Sequence, residues 1–354
     1  MSGMFNSLLT RRNLLKYSAA ALLACEATGM PSAYAETGFT VGTLGGSWGD
    51  GIRKAFIDTP KLAGPISYLN APYTVLISRL LSQPNTPPYS VADLLDVDHY
   101  IAADAGAIQD YDLDIVTNYK DILPSARQPA RAGLTHWAAS MTLPIISIGY
   151  NSKLAPTPTR WDDLWSPKYK GRIGIPDFGW FGLTWLHAVN KQLGGTEDNI
   201  DKGIAAVADL VQKNGAIVIK TTDQAIKAYK DEEIVMMPYW NGRAFALQDE
   251  GVPVEMAYVP GTIQLHNGFV IVKNTPFKEM ANRFVNNTLD PVLQLQMTEI
   301  FRYPPSSSLA VLPDRLKRYA ISRAALENVT PLDWDKINAG RAAALERWNK
   351  EIMA

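Results

Sequence analysis

The sequence predicts an α/β protein built in two parts, each discontinuous along the chain. Three observations carry that expectation. Short apolar runs alternate with helical segments, the pattern of strands feeding helices. Two extended apolar runs, Met141–Tyr150 and Gly268–Val272, are placed to cross between the parts. Without its N-terminal leader the chain keeps about 319 residues, enough for two domains and for a core that needs no disulfide.

The elements follow in order. Thr40–Leu44 reads as the first strand, and Gly45-Gly46-Ser47-Trp48-Gly49 as the turn after it. Glycines there free backbone N–H groups at a helix start, where polar or anionic ligand groups bind. Asp50–Ile57 opens that helix. Tyr73–Leu81 is a second helix, stopped by the prolines of Pro84–Pro88, and Ala92–Val97 is a buried strand. The Met141–Tyr150 run is the first crossover. Arg172–Asp177 is a strand ending in a turn, Ile200–Lys213 and Gln224–Lys230 are helices, and Ile234–Trp240 is strand-like. Gly268–Val272 is the second crossover, and helices rich in Lys, Arg, Glu and Ala run to the C-terminus.

The first 35 residues read as an export leader. Arg11-Arg12 lies in the charged stretch Thr10–Lys16, Ala19–Ala24 is apolar, and Ala33-Tyr34-Ala35 has the small-x-small form of a cleavage site. The apolar stretch is far below the ~20 residues that span a bilayer. The arginine pair followed by Leu14-Leu15-Lys16 resembles the twin-arginine address, which places the mature protein in the periplasm. Cys25, the one cysteine, follows Leu22-Leu23-Ala24 and offers an alternative, a lipid tether. Cleavage after Ala35 would leave no thiol chemistry at all.

Thirty-four basic residues face 35 acidic ones, a formal net charge of −1. Loss of the leader moves it to about −3, which argues against nucleic-acid binding. No Walker A, HExxH, CxxC or EF-hand sequence is present, and the four histidines are widely spaced. No cofactor and no metal are expected. Gly45-x-Ser47-x-Gly49 matches the nucleophile-elbow pattern. An exported serine hydrolase using Ser47 is therefore an alternative, but it needs an acid and one of His99, His136, His187 or His266 at Ser47.

Nine tryptophans are many for this length. Trp48, Trp180 and Trp240 stand at strand ends or the turns beyond them, where open α/β sheets bind ligands. Rings there stack on a ligand or hold a cation, worth ~0.5–2 kcal/mol each. Asp96 and Asp98 close the Ala92 strand. They either face the same region or cap the following helix.

Several segments together resemble one family, the extracellular solute-binding proteins of ABC importers, in the group of the spermidine/putrescine binders. They are Gly46-Ser47-Trp48-Gly49, Tyr150-Asn151-Ser152-Lys153-Leu154, Trp161-Asp162-Asp163-Leu164-Trp165-Ser166-Pro167-Lys168-Tyr169-Lys170-Gly171, Ile175-Pro176-Asp177, Trp240-Asn241-Gly242-Arg243, Leu289-Asp290-Pro291 and Tyr303-Pro304. The resemblance implies a two-lobed periplasmic-binding-protein fold, each lobe a mixed sheet flanked by helices. Lobe 1 would hold 36–143 plus 267–305, and lobe 2 144–266 plus 306–354. It implies a small-molecule ligand in the interlobe cleft, a membrane permease as partner, a monomer and no catalysis.

Ligand-binding positions expected by this resemblance are Ser47, Trp48, Asp98, Asp177, Trp180, Trp240, His266 and Asn267. The family pattern weakens at two of them. Trp180 stands where the family has a second acid, and Leu265-His266-Asn267 replaces Trp-x-Asp. An Asn cannot neutralise a buried ammonium. A ligand with one cationic end, or a small zwitterion or carboxylate, therefore fits better than a long polyamine. His266 would add pH sensitivity. A ferric-iron-binding relative is a further alternative and would need a tyrosine pair, for which Tyr239 and Tyr258 are the candidates, or clustered acids in the cleft.

Overall fold

The computed structural model describes residues 38–353 apart from positions 63 and 85. The leader, its arginine pair, Cys25 and the cleavage site lie outside the described residues. Asn85, in the proline-rich loop, does too.

Two sheets organise the chain, and each has its own core. The first has strand order β2-β1-β3-β11-β4. Its members are β1 (Phe39–Thr43), β2 (Ile66–Asn70), β3 (Val91–Leu95), β4 (Ile108–Gln109) and, from far along the chain, β11 (Asn267–Val272). β1 pairs in parallel with β2 and β3, and β11 runs antiparallel to β3 and β4. β3 is buried on both faces, as its apolar run requires. Phe39, Val41, Phe269 and Phe284 pack one side, and Leu76, Leu80, Trp137 and Val270 the other.

The second sheet centres on β5 (Ile145–Asn151), flanked by β8 (Met236–Trp240) on one side and by β9 (Val254–Ala257) and β10 (Ile263–Gln264) on the other. β6 (Gly174–Pro176) and β7 (Ile217–Ile219) pair in parallel and extend it through a bridge from Ile173 to Met236. Trp161, Trp185, Trp348 and Leu186 fill its core. Every residue of β5 is buried, as expected for a central strand. Among the described residues no helix is long and apolar enough to cross a membrane.

Three segments pass side by side between the sheets. Met141 N–H donates to the Asn267 carbonyl, Leu265 N–H to the Pro144 carbonyl, and Leu143 N–H to the Pro304 carbonyl. Gly268 allows this closeness: a Cβ there would lie 2.0 Å from the Ala139 carbonyl oxygen. Asn241 clamps the first crossover, accepting from Ile145 N–H at 3.1 Å and donating to the Leu143 carbonyl at 3.2 Å.

The expected elements are present with shifted ends. The first helix starts earlier, at Ser47, and runs to Arg53 before a π-helical turn at Lys54–Asp58. Gly46 takes φ 67° to make that entry, a conformation that costs glycine little. The Ala92 strand stops at Leu95, because Asp96 already begins the helix Asp96–Asp104. Neither Asp96 nor Asp98 caps that helix: its cap residue is Leu95, with no side-chain cap bond.

Candidate functional site

The carboxyl ends of β1 and β3 meet the crossovers, and a buried carboxylate sits there. Asp93 has no exposed surface. Thr43 Oγ1 donates to its Oδ2 at 3.1 Å and Trp48 Nε1 to the same oxygen at 2.7 Å. Asn267 Nδ2 donates to Oδ1 at 2.7 Å. Sheet register explains the convergence. Asp93 is opposite Phe269 and Leu95 opposite Asn267, so Asn267 is the diagonal neighbour of Asp93 on one sheet face. Gly42 aligns with Ala92, which brings Thr43 level with Asp93. The turn after β1 then carries Trp48 over the strand ends.

Burial pushes the Asp93 pKa up to about 7, against the pull of its bonds from Trp48, Thr43 and Asn267 and of nearby Tyr73. The Tyr73 hydroxyl lies beside Asp93 and Asn267 and within electrostatic reach of Asp98 and Tyr303. The Asn267 Oδ1 is buried without a hydrogen-bond partner. The group thus combines a poised negative charge with an unfilled acceptor, a combination suited to an ammonium N–H donor.

Aromatic rings pack around Trp48, and a second aromatic group gathers at Phe181. Trp48 packs on Phe301 at 4.7 Å and edge-on to Tyr303 at 6.4 Å. Trp240, half-buried at the end of β8, packs against both lobes' cores and lies T-shaped to Phe181 at 5.3 Å. Trp180 also packs on Phe181, at 4.5 Å.

The remaining expected positions fall as follows. Ser47 is exposed at the first turn of its helix. Asp98 is 7 % exposed, and burial raises its pKa to about 6, partly offset by Arg341. Asp177 caps the turn Phe178–Gly182 by accepting from Gly179 N–H at 3.0 Å. No contact joins Asp177 to the Asp93 group among the described residues.

His266 does not reach that group either; it pairs with Asp96. The Asp96 carboxylate accepts from the His266 backbone N–H at 2.5 Å, sits 2.7 Å from Nδ1, and accepts from Gln128 Nε2 at 2.6 Å. His266 Nε2 lies 2.8 Å from the Ser125 carbonyl. Burial alone would depress the His266 pKa, but the charge and bond of Asp96 and the Ser125 carbonyl raise it. Burial alone would raise that of Asp96, and His266 lowers it.

The two alternative chemistries lack their parts. His99 binds the Gly268 carbonyl, His136 contacts Thr135, His187 is buried elsewhere, and His266 serves Asp96; none is bonded to Ser47. Tyr239 lies on β8, and Tyr258 just past β9. These strands pair with opposite edges of β5, so the two tyrosines are about two strand spacings, ~10 Å, apart.

Sequence reasoning missed Asp93. The available clue was an Asp inside an apolar strand, because a buried charge demands partners. It also missed Tyr73, Tyr303 and Arg243, whose relevance depends on what folds against them.

A family model described as bacterial extracellular solute-binding protein matches residues 64–324. The spermidine/putrescine-binding periplasmic protein of Escherichia coli (strain K12) is 26% identical over 204 residues, covering 56% of this chain and 58% of that protein. A gamma-aminobutyric acid-binding protein of Pseudomonas aeruginosa is 26% identical over 174 residues, covering 46% and 48%. The match thus spans about half the length of these relatives. A crystal structure of an ABC transporter protein from Clostridium perfringens superposes with TM-score 0.75 at 18% identity, covering 89% of this chain and 99% of that one. That likeness concerns the fold.

Proposed function

This chain belongs to the bacterial extracellular solute-binding proteins, and from that premise we propose that it captures a small amine-bearing solute between its lobes and delivers it to the permease of an ABC importer. The observation that carries this reading is Asp93, a fully buried carboxylate at the crossover face, held by Trp48, Thr43 and Asn267. A charge in such a place is costly unless it meets a counter-charge. The likeness to binders of spermidine, putrescine and gamma-aminobutyric acid favours an amine as that counter-charge.

Trp48 and Trp240 serve as walls in this reading. Asp98 and Asn267 face the solute's cationic end, and Ser47, Asp177, Trp180 and His266 line the approach. The lobes divide at residues 143/144 and 266/267, with 306–354 assigned to the second lobe, and they close on the solute by a hinge at the crossovers. The protein leaves the cytoplasm by the twin-arginine leader, is cut after Ala35 and works as a monomer in the periplasm. A lipid on Cys25 is the alternative.

Thermal-shift titration with diamines, polyamines and amino acids tests this. A ligand at 100 times its Kd should stabilise the protein by ~2.7 kcal/mol. Trp48→Ala and Trp240→Ala should each weaken binding in a protein that still melts cooperatively. No shift with any of these compounds, or ester turnover abolished by Ser47→Ala, would refute the reading.

A further inference from the structure

Arg243 is a cation without a carboxylate. Several other arginines of the described chain end on acids: Arg131 on Asp104 and Asp335, Arg302 on Asp249, Arg347 on Asp201 and Glu351. Among the described residues no acid lies within ion-pair distance of Arg243. Its guanidinium lies over the Phe301 ring, 6.0 Å from the centroid, and beside the Tyr303 hydroxyl, with the Tyr239 hydroxyl within electrostatic reach. The Tyr239 hydroxyl is buried and has no hydrogen-bond partner.

This placement is built by the fold. Arg243 stands in the first turn of the helix Asn241–Asp249, directly after Trp240. Gly242 lets that turn press on the neighbouring segment: a Cβ there would meet the Phe301 carbonyl oxygen at 2.6 Å and the Tyr303 ring at 2.7 Å. Phe301 is the ring on which Trp48 packs. Arg243 and Trp48 therefore share one ring, and Trp48 is bonded to Asp93. The aromatic group of Trp48, Phe301 and Tyr303 thus has a negative neighbour, Asp93, and a positive one, Arg243.

We propose that Arg243 binds a carboxylate of the solute, so that the solute is a linear amino acid carrying its ammonium and carboxylate at opposite ends. This rests on the reading that the crossover face holds an amine-bearing solute. A guanidinium offers a carboxylate two parallel N–H donors, and the unpartnered Tyr239 hydroxyl lies within electrostatic reach of it. A diamine would instead set an ammonium against Arg243, and like charges repel strongly where water is excluded. The same polarity explains how Asn267 can stand near the cationic end: it relays the Asp93 charge and presents its free oxygen.

The test is calorimetric titration of the full exported chain with ω-amino acids of two to six carbons and with diamines of three to five. The wild type should bind an amino acid of this series more tightly than every diamine. Arg243→Gln should weaken that amino acid by about 10- to 100-fold, the range for a bond to a charged group. Arg243→Lys, which keeps the charge but loses the fork, should fall between them, and Arg243→Asp should reverse the preference toward a diamine. Thermal melts of each variant guard against simple misfolding. Tighter diamine binding by the wild type, or amino-acid affinity within about threefold of wild type in Arg243→Gln, would overturn the Arg243 proposal and leave the amine-binding reading standing. Binding of neither series would overturn both.

Discussion

Replacing Trp48 by Phe isolates one bond at the centre of the site. The ring that packs on Phe301 at 4.7 Å is largely kept, and the Nε1–H that donates to Asp93 Oδ2 at 2.7 Å is lost. Asp93 is fully buried, so solvent does not replace the missing donor. A hydrogen bond to a charged group is worth about 1.5–3 kcal/mol and a neutral one about 0.5–1.5. Which value applies depends on the charge of Asp93, whose pKa burial pushes up to about 7. A raised carboxyl pKa favours folding at low pH, and that advantage is lost as pH rises through the folded value. Asp93 is therefore neutral at pH 5.5 and charged at pH 8.5. The substitution should cost about 1–1.5 kcal/mol more at pH 8.5 than at pH 5.5. The cost of the smaller ring is the same at both and cancels in the comparison. Urea denaturation of both proteins at the two pH values measures this. An equal loss at both would show that Asp93 does not titrate in this range or does not depend on Trp48, and the electrostatic account of the site would fall.

Two further substitutions test the frame around the site. The stabilisation due to the raised pKa of His266 is complete below the ordinary histidine value and fades as pH rises through its folded value, while that from Asp96 fades as pH falls through its lowered one. Their pair, with Gln128, His99 and the Ser125 carbonyl packed around it, is thus strongest in mildly acidic conditions. His266→Gln should cost roughly 2–4 kcal/mol at pH 5.5 and clearly less at pH 8.5 by chemical denaturation; a pH-independent loss would contradict the pairing. Gly268→Ala would force a Cβ to within 2.0 Å of the Ala139 carbonyl oxygen. The two segments must then part, at a cost of about 3 kcal/mol or more in urea unfolding, and a loss under about 1 kcal/mol would show that Gly268 is not packed this closely on Ala139.

Local chemistry made much of this protein readable in advance. Alternating apolar runs and helices announced the α/β class, and the order of segments from Trp48 to Tyr303 announced the family. The strand-to-helix entry at Gly45-Gly46 was legible because a positive φ suits glycine, and Trp48 stood out because it follows that entry at a strand end. Asp177 was equally legible by position; its carboxylate also caps its own turn, which the spacing did not reveal.

What the sequence could not decide was which side chains meet. Asp93 and Asn267 are 174 residues apart, and Asp96 and His266 are 170. Their pairing follows from the antiparallel register of β11 on β3, which joins a strand near the start of the chain to one near its end. The same folding placed His266 on a structural acid and Arg243 beside aromatic rings with no acid to neutralise it. Strand and helix identity arises from periodicity within a few residues, so the sequence alone determined it. The charge pattern of the site arises from desolvation and from partners brought across the crossovers, and only the tertiary structure decided that.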